Sequence, residues 1–354
     1  MYHFKIASFL MVVSIVLAAC QPLSPVATAV PVATQVSAAN SAAASSAAPK
    51  VVNFPCSPNC KYSDLVIGFL QTGSESGWRL ANSLSFKESA QQLGINLKFY
   101  DSQGDLAKQV AGFHKFNQDP EVNIIVLEPL SVTGWDDSLK EAKAAGKLVI
   151  LSDRRIDGLE DMYVTFIGAD FLEEGRKAGT EMCNLLEGSE KKNVWELVGT
   201  VDAAPAIDRG KGFREKADQC GIVITNSQTA NFGIIQGKQV TEAWLGKSKD
   251  VQGIFAQNDD MGLGAIDALK DADLAPGKDI KIVSVDATAG GFQAMLEGTL
   301  NVSVECNPLL APQVYEAALK AANGVEQPKL IPSQEGVFYA VDPNLKEILA
   351  GRKY

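Results

Sequence analysis

The stretch Leu65-Val66-Ile67-Gly68-Phe69-Leu70, followed by Trp78 to Leu93 and then Ile95 to Tyr100, decides the fold. Short runs nearly continuous in Val, Ile, Leu and Phe are the pattern of strands covered by helices on both faces. Trp78–Leu93 is long enough for several helical turns, and Gly94 follows it at the position where a helix stops in the left-handed conformation. Strand, helix, glycine stop and strand make the βαβ unit of a parallel sheet.

The alternation continues through Gln103–Asp119, Ile124–Leu127, Thr133–Ala145 and Leu148–Leu151. It is then written a second time, as Val194–Leu197, Ala206–Gln219, Val223–Thr225, Ile234–Leu245, Gly253–Ala256, Leu263–Ala272, Ile280–Val285 and Phe292–Glu297. Gly146 and Gly221 repeat the stop of Gly94, each after a helix and before a strand. The prediction is an α/β protein of two similar, doubly wound parallel-sheet lobes. In open α/β sheets ligands bind beyond the carboxyl ends of the strands. The residues there are Gln71 to Arg79, Glu128, Asp153 with Arg154, Thr200 to Asp208, Asn258 with Asp259, and Asp286.

Ahead of the first lobe, a short basic start (His3, Lys5), the apolar run Ile6–Leu17 and Leu17-Ala18-Ala19-Cys20 read as a bacterial lipoprotein signal peptide over 1–19. The run is too short to span a bilayer, so Cys20 is expected to carry lipid and anchor the protein to the cell membrane on its extracytoplasmic side. Residues 20–61 are read as the lipidated cysteine and a flexible tether. As far as Lys50 they are almost wholly Ala, Ser, Val, Pro, Thr and Gln, which cannot bury enough apolar surface to offset the entropy of ordering.

The formal net charge of −10 lacks the basic footprint that nucleic-acid binding requires. His3 and His114 are the two histidines, and His3 leaves with the signal peptide. A triad or a histidine-based zinc site would rest on His114 alone, which lies among Val110, Phe113 and Phe116 and reads as a surface or packing residue. Gly73-Ser74-Glu75-Ser76-Gly77 places Glu75 where a nucleophile elbow needs serine, and no phosphate-cradling loop is found. The chain is therefore expected to be no enzyme, with no catalytic residue, cofactor or metal. Five cysteines follow Cys20, an odd number in a compartment where disulfides persist. Cys56 with Cys60, and Cys183 with Cys220 at the ends of two predicted helices, are the candidate pairs, and Cys306 is the candidate free thiol.

The strand-end set suits a sugar. Hydroxyls both donate and accept, so they need planar bidentate groups, and the apolar ring face needs an aromatic surface. Asp153 accepts, adjacent Arg154 and Arg79 donate, and Trp78 offers the flat face. The rival reading makes Asp153 and Arg154 a structural ion pair and Trp78 core.

The runs Gly73-Ser74-Glu75-Ser76-Gly77-Trp78-Arg79, Ser152-Asp153-Arg154, Ala206-Ile207-Asp208-Arg209-Gly210-Lys211-Gly212-Phe213 and Ala256-Gln257-Asn258-Asp259-Asp260-Met261 resemble those of the periplasmic sugar-binding proteins of ABC importers, ribose-binding type. With Thr133-Gly134-Trp135 they are most similar to the galactofuranose-binding branch. The resemblance covers about Asp64 to Asp342. It implies a type I periplasmic binding protein fold, with an N-terminal lobe over 62–169 plus 307–332 and a C-terminal lobe over 170–306 plus 333–354, joined by a hinge. It implies ligand contacts from Ser76, Trp78, Arg79, Glu128, Asp153, Arg154, Arg209, Phe232, Asn258 and Asp286. Cys306 and Glu128 depart from the ribose-binding pattern, which has a glutamine and an asparagine there. The implied function is capture of a monosaccharide, galactofuranose-like or another pentose or hexose, and delivery to the permease of an ABC importer.

Three rivals are weighed. A sugar-responsive repressor would carry a helix-turn-helix where this chain has its leader and tether. A glycosidase would use Glu75 and Asp153 as paired carboxylates. A sensor would present a sugar or signalling furanose to a chemoreceptor.

Overall fold

In the computed structural model, which describes residues 54–354, the apolar runs become strands and the periodic stretches become helices. The expected signal peptide 1–19, the lipidated Cys20 and the tether as far as residue 53 lie outside the described residues. The first half runs β1 (Val66–Gln71), α1 (Gly77–Leu93), β2 (Asn96–Asp101), α2 (Leu106–Gln118), β3 (Ile124–Leu127), α3 (Asp136–Ala144), β4 (Leu148–Ser152) and β5 (Phe166–Gly168). The second runs α4 (Phe171–Leu185), β6 (Asn193–Val198), α5 (Ala204–Ala217), β7 (Val223–Thr229), α6 (Ile234–Leu245), β8 (Gly253–Ala256), α7 (Asp259–Asp271), β9 (Lys281–Asp286), α8 (Ala289–Leu296) and β10 (Val302–Glu305). The chain closes with α9 (Ala311–Ala322), β11 (Leu330–Pro332), β12 (Val337–Tyr339) and α10 (Leu345–Gly351).

Two six-stranded sheets result, ordered β11-β5-β4-β3-β1-β2 and β12-β10-β9-β8-β6-β7. Every pairing is parallel except β10 with β12. In each sheet the strand order reverses beside the first strand of its half, between β1 and β3 and between β6 and β8, the switch points at which doubly wound sheets open a crevice. The backbone crosses between the sheets after β5, after β10 and between β11 and β12. β5, β11 and β12 are three residues long, too short for periodicity to announce them, and β10 is the four-residue run Val302–Glu305.

Local chemistry sets the ends of the site-bearing helices. Ser76 caps α1, its Oγ accepting from Arg79 N at 3.1 Å, and Gly94 stops the helix at φ 73°. Asn258 caps α7, its Oδ1 accepting from Met261 N at 2.9 Å, so that helix starts at Asp259 instead of the expected Leu263. Inside the first lobe Phe69 stacks on Phe86 at 4.0 Å between ring centres, and inside the second Trp195 meets Trp244 edge-on at 5.4 Å.

The tether ends earlier than its composition suggests. Residues 54–61 belong to the body: Phe54 and Cys60 are buried in the first lobe's core, and Cys60 N donates to Asn323 Oδ1 on the end of α9 at 2.7 Å. A disulfide joins Cys56 to Cys60, and another joins Cys183 on α4 to Cys220 just after α5. Among the described residues Cys306 is the free cysteine, and it is buried.

Helices α4 and α5 pack against one another so closely that a Cβ on Gly175 would overlap the carbonyl oxygen of Arg209, and one on Gly212 that of Leu172. The approach fixes where α5 sits, and with it Arg209. Gly175→Ala is expected to cost about 1–3 kcal/mol of stability through overpacking, read as a lower urea midpoint.

Candidate functional site

Strand ends from both sheets line one tight polar cavity of about 20 Å3. The first lobe supplies Glu75, Ser76, Trp78, Arg79, Asp153 and Arg154; the second supplies Pro205, Arg209, Phe232, Asn258 and Asp286, and Cys306 comes from the second crossing. Every expected contact residue but Glu128 is among them. Glu128 ends β3 with no exposed surface and sits behind the wall, ion-paired to Arg79, while Ser152 Oγ donates to it at 3.0 Å. Its strand-end position is as expected, but its carboxylate is spent on holding an arginine. Burial pushes its carboxyl up to about 8 even beside that cation.

The three arginines of the cavity are all buried, and their partners differ. Arg79 is fully engaged: Nη1 pairs with Glu128, Nη2 donates to Asp153 Oδ2 at 2.8 Å and Nε to Glu75 Oε1 at 3.4 Å. Burial works against its charge, but Asp153, Glu128 and Glu75 together outweigh it and raise its pKa. Arg209 donates from Nε to Glu174 Oε2 and from Nη1 to the carbonyl of Gln257, each at 2.7 Å, and Nη2 lies 3.5 Å from Asp286 Oδ1. Its pKa is raised by the same balance, with Glu174 the leading anion.

Arg154 is different. It is 2% exposed, its nearest carboxylates are Asp153 at 3.6 Å and Glu75 at 3.9 Å, and neither its Nε nor its Nη1 has a hydrogen-bond partner. Burial, and then repulsion from Arg79, lower its pKa. A buried donor left unmade costs about 1–3 kcal/mol, so these two N–H groups mark where hydrogen-bond capacity is stored. On the acceptor side, burial raises Glu75 but Arg79 and Arg154 outweigh it, and its carboxyl is held below the ordinary value. Asp286 moves the other way, driven well up by burial despite Arg209.

Flat surfaces complete the wall. Trp78 donates from Nε1 to the carbonyl of Cys306 at 2.7 Å, so the first lobe's indole is pinned to the second crossing. The Arg154 guanidinium lies 5.6 Å from the ring centre of Phe232, which belongs to the other lobe. Asn258 Nδ2 donates to the Phe232 carbonyl at 3.0 Å, which leaves that amide one further hydrogen to give. Asp153 (φ 60°), Phe232 (φ 61°) and Asp286 (φ 119°) stand in the left-handed half of backbone space, where side-chain-bearing residues carry roughly 1–3 kcal/mol of strain each. Among the described residues these are three of the eight side-chain-bearing positions with positive φ, and all three lie at strand ends or in loops.

The lobes also meet around the cavity. Gly77 N donates to Asp260 Oδ2 at 3.2 Å, Arg155 Nη2 to Asp208 Oδ1 at 3.2 Å and Val132 N to the Asp202 carbonyl at 3.1 Å. Sequence reading left Glu75, Pro205 and Cys306 out of the contact set. Glu75 lies inside the Ser-Glu-Ser-Gly-Trp-Arg run, Pro205 in the first turn of α5 within the Thr200–Asp208 stretch, and Cys306 at a departure from the ribose-binding pattern, so each carries a signal. His114 stands away from the cavity, half-exposed and paired with Glu141.

Residues 67–326 match the family described as periplasmic binding protein domain. The chain is 37% identical to the galactofuranose-binding protein YtfQ of Escherichia coli over 289 residues, covering 80% of this chain and 90% of that protein. A solved structure from Mycobacterium smegmatis in complex with β-D-fucofuranose superposes with a TM-score of 0.79 at 45% identity, over 82% of this chain and 95% of that one. The periplasmic binding component of the arabinose ABC transporter from Shewanella sp. ANA-3, bound to α- and β-L-arabinofuranose, gives 0.77 at 38% identity over 81% and 95%.

Replacing Arg154 removes the unpaired buried donors. Arg154→Met is expected to raise the stability of the ligand-free protein by about 1–2 kcal/mol, because Asp153 and Glu75 keep Arg79 as their partner. A urea melt that moves to lower denaturant would contradict the assignment of Arg154 as the unsatisfied group.

Proposed function

The chain belongs to the periplasmic binding protein family, and on that premise we propose that it captures a monosaccharide in its furanose form between two closing lobes and hands it to an ABC importer. The observation that carries the reading is Arg154: a buried guanidinium with two unmade hydrogen bonds on the wall of a closed polar cavity. A sugar supplies the missing acceptors. Its hydroxyls also donate hydrogen bonds to Asp153 and Asp286, and Trp78 and Phe232 receive its apolar ring edges. Preference for a furanose draws on the relatives named for galactofuranose, fucofuranose and arabinofuranose.

The lobes contain the binding step mechanically. Ser76, Trp78, Arg79, Asp153 and Arg154 act from one side and Arg209, Phe232, Asn258 and Asp286 from the other, so a sugar stabilises the closed form by contacting both. Glu128 acts through Arg79. Closure is what the importer's permease reads. In the same proposal Cys20 carries the lipid that keeps the protein at the outer face of the membrane.

Binding without turnover is favoured over glycoside hydrolysis by Glu75. A general acid needs a carboxyl held above its ordinary pKa, and Glu75 is held below it by Arg79 and Arg154.

A thermal-shift screen of D-fucose, D-galactose, L-arabinose, D-fructose and D-ribose tests the reading, since a ligand that prefers the folded closed state raises the melting temperature by mass action. The furanose-forming sugars named for the relatives are expected to give the largest shifts, and an absence of any shift overturns the proposal. Asp153→Ala is expected to weaken binding of the best sugar by roughly 100-fold or more, measured by calorimetry, because it removes an acceptor and leaves Arg154 without its nearest anion.

A further inference from the structure

Glu174 and Glu335 do not line the cavity, yet Glu174 holds Arg209 at 2.7 Å. Glu174 lies on α4 just past the first crossing, Cys306 in the second crossing and Glu335 in the third, between β11 and β12. One side-chain atom from each comes within 4.8 Å of the other two. All three passages between the lobes therefore meet at one point beside Arg209, where Glu174 and Cys306 are buried and Glu335 is partly so.

Two carboxylates in such a place cannot both be charged without mutual repulsion. Glu174 has its Oε2 committed to Arg209, while its Oε1 is buried with no donor. Glu335 has Oε1 fixed by Ser333 Oγ at 2.8 Å and by Asn307 N at 3.3 Å. Burial, followed by the charge and hydrogen bonding of Glu174, pushes the Glu335 carboxyl up to about 9, so at neutral pH it has a proton to donate. Arg209 and Asp286 lie on the cavity side, Lys177 Nζ donates to the Glu335 carbonyl at 3.3 Å, and burial keeps the Cys306 thiol protonated by driving it well up. Next to them Glu305 accepts from Gly336 N at 2.9 Å, pairs with Arg352 and accepts from the Tyr354 hydroxyl at 2.7 Å.

We propose that Glu174 is a positioning residue of the cleft, aiming Arg209 at the bound sugar, and that a single proton shared between its free oxygen and the Glu335 carboxyl ties the first crossing to the third. The inference rests on the sugar-binding reading above. The ligand-free protein already holds the bridging proton, so its contribution to folding stability is complete below the ordinary carboxylate range and is lost as pH rises through about 9, while sugar binding, which requires the proton, is unaffected below that pH and weakens above it. Above that pH two adjacent negative charges push the crossings apart and Arg209 loses its support.

Calorimetry from pH 7 to 10 with the sugar that gives the largest shift among D-fucose, D-galactose and L-arabinose tests this. The wild-type protein is expected to lose affinity up to about tenfold per pH unit above the titration. Glu335→Gln, which keeps a donor without a titratable proton, is expected to hold the neutral-pH affinity within about threefold and to abolish the alkaline loss, whereas Glu174→Gln lowers affinity at pH 7 by about tenfold or more. An alkaline loss unchanged in Glu335→Gln, or a Glu174→Gln affinity within twofold of wild type, overturns the proposal. Infrared spectroscopy of the ligand-free protein gives a reading that needs no sugar: a protonated carboxyl stretch present at pH 7, lost on raising the pH and missing from Glu335→Gln. If no sugar binds while that band behaves as stated, the sugar reading fails and the shared proton stands. If the band is missing, or elemental analysis finds an equimolar metal cation there, the shared proton fails whatever the sugar does.

Discussion

Three guanidinium groups withdrawn from water into one closed cleft govern how the rest of this protein is arranged. Each must be surrounded by anions or carbonyls, because an unpaired buried charge costs several kcal/mol and no apolar packing offsets it locally. Arg79 is met by three carboxylates and Arg209 by two carboxylates and a carbonyl. Arg154 is met by none within normal hydrogen-bond distance at two of its three nitrogens. The asymmetry underlies the proposed function: two arginines are satisfied by the protein, and the third is the one a bound sugar would satisfy.

The fold supplies the anions from elements that are distant in the chain. Glu128 and Asp153 end β3 and β4, on the far side of the switch point from Arg79, which follows β1. Glu174 reaches Arg209 because glycines at positions 175 and 212 let α4 and α5 approach until backbone touches backbone. The left-handed backbone at Asp153, Phe232 and Asp286 turns those side chains at the point where each strand or loop ends. Strain of this kind persists where surrounding structure over-determines it, and here two sheets and three crossings do so. The capping residues share in the same economy, since Ser76 and Asn258 close helix ends while facing the cavity.

Much of this was legible in the chain. The alternation of apolar runs and helical stretches, with glycine stops, specified two doubly wound lobes, and the rule that ligands sit beyond strand ends picked out Trp78, Arg79, Asp153, Arg154, Asn258 and Asp286. Resemblance added Arg209 and Phe232. Less visible were β10, the three-residue strands β5, β11 and β12, which are too short to carry a period, and the packing of residues 54–61, which depends on Asn323 and the core beneath them. Glu128 was placed at the right strand end but given the wrong task, because a residue's position along a strand does not say which neighbour claims its carboxylate.

By itself the sequence determined the layers, the strand ends and the kinds of side chain gathered there, since periodicity, turn chemistry and residue type are local properties. Only the tertiary structure decided which arginine is left with unmade hydrogen bonds, and that Glu174, Cys306 and Glu335 meet at the hinge. Satisfaction of a buried charge is a sum over partners brought from distant parts of the chain, and desolvation acts on the assembled neighbourhood, so neither exists until the lobes have folded and closed.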